Sequence, residues 1–69
     1  MISYDPFWKT MKEKSITSYT LTKKLNINES TLYRMRKGIP MTTTTINDLC
    51  KALHCEVQDV IRYIPDEQE

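Results

Sequence analysis

The thirteen residues Asn26–Gly38, NINESTLYRMRKG, decide how the rest of the chain is read. They open with small polar residues, carry a few apolar ones, and end on three basic side chains and the only glycine in the chain. Asn28 has the chemistry of a helix N-cap, and Gly38 that of a C-terminal stop. Between them the spacing predicts a helix from Glu29 to about Lys37, with Leu32 and Met35 facing inward. Asn, Glu, Ser and Thr at its head have no task in a core, so the stretch reads as a helix built to present its leading end.

Working outward, Asn26 is the next landmark. Asparagine visits the left-handed region more readily than other non-glycine residues, which suits a tight turn. Before it, Thr17 caps a short helix from Tyr19 to Leu25, with Leu21 and Leu25 inward and Ile27 buried in the connection. Further upstream, Asp5-Pro6 reads as an N-cap acid followed by proline at the first helical position, opening a helix from Pro6 to about Lys14. Phe7, Trp8 and Met11 form its apolar face, read as core or edge of core. Downstream, Thr42 or Thr43 caps a fourth helix whose stripe is Ile46, Leu49, Cys50 and Leu53. His54-Cys55 is a turn, and a fifth short helix, roughly Glu56 to Arg62, carries Val57, Val60 and Ile61. Ile2-Ser3-Tyr4 alternates like a strand and could pair with Tyr63-Ile64. Residues 66–69 form an acidic tail.

The expected fold is therefore all-α: one compact five-helix domain over residues 1–69, with a short terminal strand pair as an option. The length of 69 residues permits a thin core only. No apolar run approaches the roughly 18 residues of a membrane span, and no secretory h-region is visible, so a cytoplasmic location is expected. Two cysteines are too few for a disulfide scaffold. Cys50 and His54 stand one helical turn apart, but no further pair completes a tetrahedral zinc site. Catalytic triads, paired carboxylates and phosphate-cradling glycine loops are all missing, so neither enzyme activity nor a cofactor is expected.

Net charge is only +1, yet it is unevenly spread. From Lys9 to Lys37 eight basic residues face Glu13 and Glu29, a balance of +6. From Gly38 onward Lys51 and Arg62 face six acids, a balance of −4. A basic first half suits a polyanion; a solvated surface without a partner is the plainer alternative.

Helices two and three, joined by a three-residue turn, have the spacing of a helix-turn-helix over about residues 18–37. With apolar residues at Leu21, Leu25, Ile27, Leu32 and Met35, and with ESTLYRMRKG after the turn, the segment resembles the Cro and lambda-repressor type, the XRE family. The start YDPFWKTMKEKSIT and the end IRYIPDE resemble a short bacterial or phage-derived branch. Thr22 stands where that family usually has alanine, and Asn26 where it usually has glycine.

The resemblance implies that the third helix lies in the major groove of double-stranded DNA with its N-terminal end at the base edges. Asn28 and Ser30 would bond bases or phosphates, and Arg34 a guanine through its bidentate fork. Glu29 would accept from a cytosine amino group or simply favour the helix dipole. Tyr33 would touch a thymine methyl or the backbone, and Thr31 would face the second helix. Ser18, Lys24, Arg36 and Lys37 would contact phosphates, assisted by backbone amides at the starts of the second and fourth helices. The function implied is transcriptional regulation, as a repressor, by a homodimer joined through the C-terminal half, where Val57, Ile61, Tyr63 and Ile64 could expose an apolar patch. No small-molecule ligand is expected. The rival readings are a protein-interaction module of helix-turn-helix shape (an anti-repressor or accessory factor) and an antitoxin.

Overall fold

The computed structural model describes residues 1–65; the acidic tail at 66–69 lies outside them. Among the described residues the order is β1 (Ile2–Ser3), α1 (Asp5–Glu13), α2 (Ser18–Lys23), α3 (Glu29–Lys37), α4 (Thr43–Leu53), a 3₁₀ turn (Val57–Asp59) and β2 (Arg62–Tyr63). The class is all-α, as expected, with four α-helices rather than five.

The difference lies after Cys55. The reading of a helix from Glu56 to Arg62 fails because competing partners claim its backbone. Asp59 accepts from the Glu56 amide through its side chain at 3.0 Å, part of a capping box that opens only the short 3₁₀ turn. The Asp59 carbonyl accepts the Thr10 hydroxyl at 2.8 Å, a bond tying this turn to α1. Arg62 and Tyr63 are then drawn into an antiparallel pair with β1, in the register Ile2↔Tyr63 and Ser3↔Arg62. The Ile64 amide donates to the Met1 carbonyl at 2.7 Å, closing the ladder. Val60 is fully buried, whereas Val57 is 53% exposed.

α1 also starts differently. Asp5 is its first helical residue, not its cap, and Tyr4 occupies the cap position without a side-chain bond. The capping role passes to Ser3, whose Oγ accepts the Asp5 amide at 3.1 Å. The cause is tertiary: Tyr4 is drawn into the core, and its hydroxyl donates to the Ile39 carbonyl at 2.9 Å. α2 spans Ser18–Lys23, starting one residue earlier and ending two residues earlier than read, with Thr17 as its cap.

Phe7, Leu21, Leu49, Leu53 and Val60 form the fully buried centre, with Tyr4, Met11, Leu32 and Met35 around them. Leu25, Ile27, Ile46 and Cys50 pack against this centre while remaining half-buried. Each element contributes only one or two of these residues, so no helix has a private core. Burying each aliphatic side chain contributes about 1.5–3 kcal/mol, and all four helices draw on the same shared set.

Candidate nucleic-acid interface

α3 is held from beneath and bare above. Leu32 and Met35 are its buried residues, and Thr31 is half-buried. Asn28, Glu29, Ser30, Tyr33, Arg34, Arg36 and Lys37 are all exposed. Its head is set by Asn28, whose Oδ1 accepts the Ser30 amide at 2.9 Å. That bond occupies the Asn28 oxygen, leaving the side-chain NH₂ as a free donor type for other contacts. Its end is set by Gly38 at φ 74°, with the Gly38 amide closing on Met35 and the Ile39 amide on Arg34. Arg34, Arg36 and Lys37 crowd the last turn, where the carbonyl end of the helix dipole favours cations.

The turn that aims α3 is made as read. Asn26 sits at φ 61°, and the Ile27 amide reaches back to the Leu21 carbonyl at 3.1 Å. Thr22 is accommodated because its hydroxyl donates to the Ser18 carbonyl of its own helix at 3.0 Å. A hydroxyl bonded within its own turn carries no unmet polar demand to the α2–α3 contact.

The remaining residues fall into distinct places. Ser18 and Arg36 come together across the two helices: the Arg36 guanidinium donates to the Ser18 Oγ at 3.4 Å. The same guanidinium lies 5.2 Å from the centroid of the Trp8 ring. Trp8 in turn meets Phe7 edge-on at 4.8 Å. Arg36 is thus a strut joining α1, α2 and α3, with its remaining N–H donors still at the surface. Lys37 lies 5.6 Å from the centroid of the Tyr33 ring, one turn back, so the two share a ridge. Lys24 is exposed at the C-terminal cap of α2. Thr31 was expected against the second helix. Instead it borders a small cleft with Asn26, Thr45 and Asp48, on the α4 side. The Leu32 and Met35 anchors rotate it there, one residue ahead of the buried face.

α4 opens beside this surface with Thr42 as its cap, its Oγ1 accepting the Thr45 amide at 3.3 Å. Thr43 and Thr44 are exposed in its first turn. Sequence reasoning missed Trp8 as a support for the basic ridge. An aromatic beside Phe7 reads as core, and no local signal pairs residue 8 with residue 36. No helix among the described residues is long and apolar enough to cross a membrane. Nor do they contain a group of three or more His, Cys, Asp or Glu side chains arranged to hold a metal ion.

Comparison with known proteins gives two matches. Residues 7–66 match the family of Cro/C1-type HTH DNA-binding domains. The fold is similar to that in the crystal structure of the transcriptional regulator VanUg, Form II, with a TM-score of 0.79. That superposition covers 94% of this chain and 87% of the other at 23% identity, a likeness of fold. No curated protein matches the chain.

Proposed function

The chain belongs to the Cro/C1-type helix-turn-helix DNA-binding domain family, and on that premise we propose that it is a sequence-specific regulator of transcription, a repressor that reads the major groove of double-stranded DNA with α3. One observation carries the reading: Asn28, Glu29 and Ser30 at the head of α3 are exposed, while Leu32 and Met35 are its buried residues. A helix placed this way can enter a groove without unpacking the core.

The roles follow from reach and chemistry. Asn28, Glu29 and Ser30 lead, where short side chains allow close approach to base edges. Arg34, one turn on, offers a planar fork to guanine O6 and N7. Tyr33 and Lys37 form a ridge suited to the sugar–phosphate backbone. Lys24, the outer donors of Arg36 and the exposed first turn of α4 supply further phosphate contacts. Ser18 contributes indirectly, by holding Arg36. The protein is a binder rather than a catalyst, working in the cytoplasm wherever its DNA is accessible.

A single copy carries few basic groups, so two copies on adjacent half-sites roughly 34 Å apart give the affinity that one lacks. The exposed apolar residues Val57 and Tyr63 support a homodimer through the C-terminal half, with Ile2 beside Tyr63 extending the patch across the strand pair.

The test is selection of bound duplexes from a random pool, followed by titration of the best one at several salt concentrations. Enrichment of one motif, with affinity falling steeply as salt rises, is expected. No enrichment and no affinity even at low salt would sink the proposal in favour of a protein-binding module, a role that the exposed Glu29 at the head of α3 would suit.

A further inference from the structure

Three helices in this fold end by the same device. A residue in the left-handed region follows the helix, and the next amide closes on the carbonyl five residues back. Ser15 does this for α1, with the Ile16 amide on Met11 at 2.9 Å. Gly38 does it for α3, with Ile39 on Arg34 at 2.9 Å. His54, at φ 53°, does it for α4, with the Cys55 amide on Cys50 at 3.1 Å and the His54 amide on Lys51 at 3.4 Å. This stop, the Schellman motif, usually brings an apolar side chain beyond the turn onto another at the start of the last turn. After α1 that pair is Ile16 and Met11. After α4 it is Cys55 and Cys50.

Both are free thiols, and both are half-buried. The backbone bond between them keeps their Cα atoms near the roughly 4.4–6.8 Å that a disulfide spans. From this geometry we propose that Cys50 and Cys55 are a redox-active dithiol, a site of reversible disulfide formation across the C-terminal stop of α4, with small-molecule disulfides as its co-reactants.

The exchange balances without any other oxidant. A thiolate of the pair attacks one sulfur of the small disulfide, forming a mixed disulfide and expelling one small thiolate. The second cysteine gives its proton to solvent and attacks the protein sulfur of that bond. The Cys50–Cys55 bond forms, and the second small thiolate leaves. The dithiol has lost two electrons and two protons, and the small disulfide has become two thiols. Burial holds the Cys55 thiol above its ordinary range, with Cys50 and Asp59 adding to the effect and Lys14 opposing it. The raised pKa leaves little thiolate on Cys55, the nucleophilic form, so its attack is slow near neutral pH and quickens as pH rises.

The test uses the whole chain, reduced and then equilibrated in buffers of reduced and oxidised glutathione. Free thiols are alkylated, and the products are read by intact mass and peptide mapping. The expected product is a single chain lacking both alkyl groups, with Cys50 joined to Cys55 and no bound glutathione. Its thermal midpoint should exceed that of the reduced chain by about 5 °C or more. Cys50→Ser and Cys55→Ser should each halt at the glutathione adduct and show no such rise. Wild-type chain that accumulates glutathione adducts, links to a second chain, or keeps both thiols free would overturn the proposal. These outcomes are read in the wild type, so they stand even if a variant folds poorly.

Discussion

Arg34 and Lys37 stand on the same exposed face of α3, yet their chemistry separates them. A guanidinium fork aligned with one base pair confers preference, whereas an ammonium beside a phosphate confers attraction to any sequence. Arg34→Ala should therefore cost about 1–3 kcal/mol on the preferred duplex and relax choice at one base pair. Competition binding against single-position variants of the site checks this, and equal weakening on every sequence would refute it. Lys37→Ala should weaken all sequences alike and lower the salt slope by about one. Gly38 makes a different demand. A Cβ added there would meet nothing within 4 Å, so the requirement is its φ of 74° alone. Gly38→Ala should cost about 1–2 kcal/mol of stability from left-handed strain, read by denaturant unfolding; a neutral result would mean that the end of α3 re-forms by another stop.

At the scale of elements, local signals and their results correspond closely for α3. The Asn28 cap, the Leu32 and Met35 anchors and the Gly38 stop all lie within one helix and its flanks, and all are legible from spacing. The turn at Asn26 is equally local. What spacing could not reveal is the strut on α3's far side, where Arg36 lies against Trp8 and donates to Ser18. Because Trp8 is the only tryptophan, its fluorescence reports on this joint. Duplex binding that recruits the outer donors of Arg36 should perturb Trp8 emission, and Arg36→Ala should abolish most of that change while altering the free protein's spectrum. Emission that responds identically in both proteins would remove the strut from the binding event. The misread fifth helix has a parallel cause. Val57, Val60 and Ile61 carry a plausible helical spacing, but the Asp59 carbonyl is taken by Thr10 and the following residues by β1.

For the molecule as a whole, the ends and the middle are tied by a few long-range polar bonds. The Met1 ammonium donates to the Ile64 carbonyl at 2.6 Å, across 63 residues of sequence. The Tyr4 hydroxyl reaches the Ile39 carbonyl, 35 residues away, just past α3. Tyr4→Phe leaves that carbonyl short of a partner. It should cost about 1 kcal/mol, seen as a thermal midpoint lower by roughly 4–8 °C in a domain of this size. An unchanged midpoint would mean that solvent replaces the hydroxyl without penalty. Assembly belongs to this scale as well. Sedimentation of the free protein and of its complex with the selected duplex should reveal two copies at least on DNA, and a strict monomer in both would end the dimer reading.

The sequence by itself determined where the four α-helices lie to within two residues, and how α3 begins and stops. Those features depend on caps, turn residues and apolar spacing, whose partners lie within a few residues along the chain. Only the tertiary structure decided that Tyr4 displaces Asp5 from the cap of α1, that Arg36 rests on Trp8, and that the last segment pairs as a strand. Each of these joins residues from 28 to 63 positions apart. A periodic pattern states which face turns inward; it carries no record of the distant group that the face will meet.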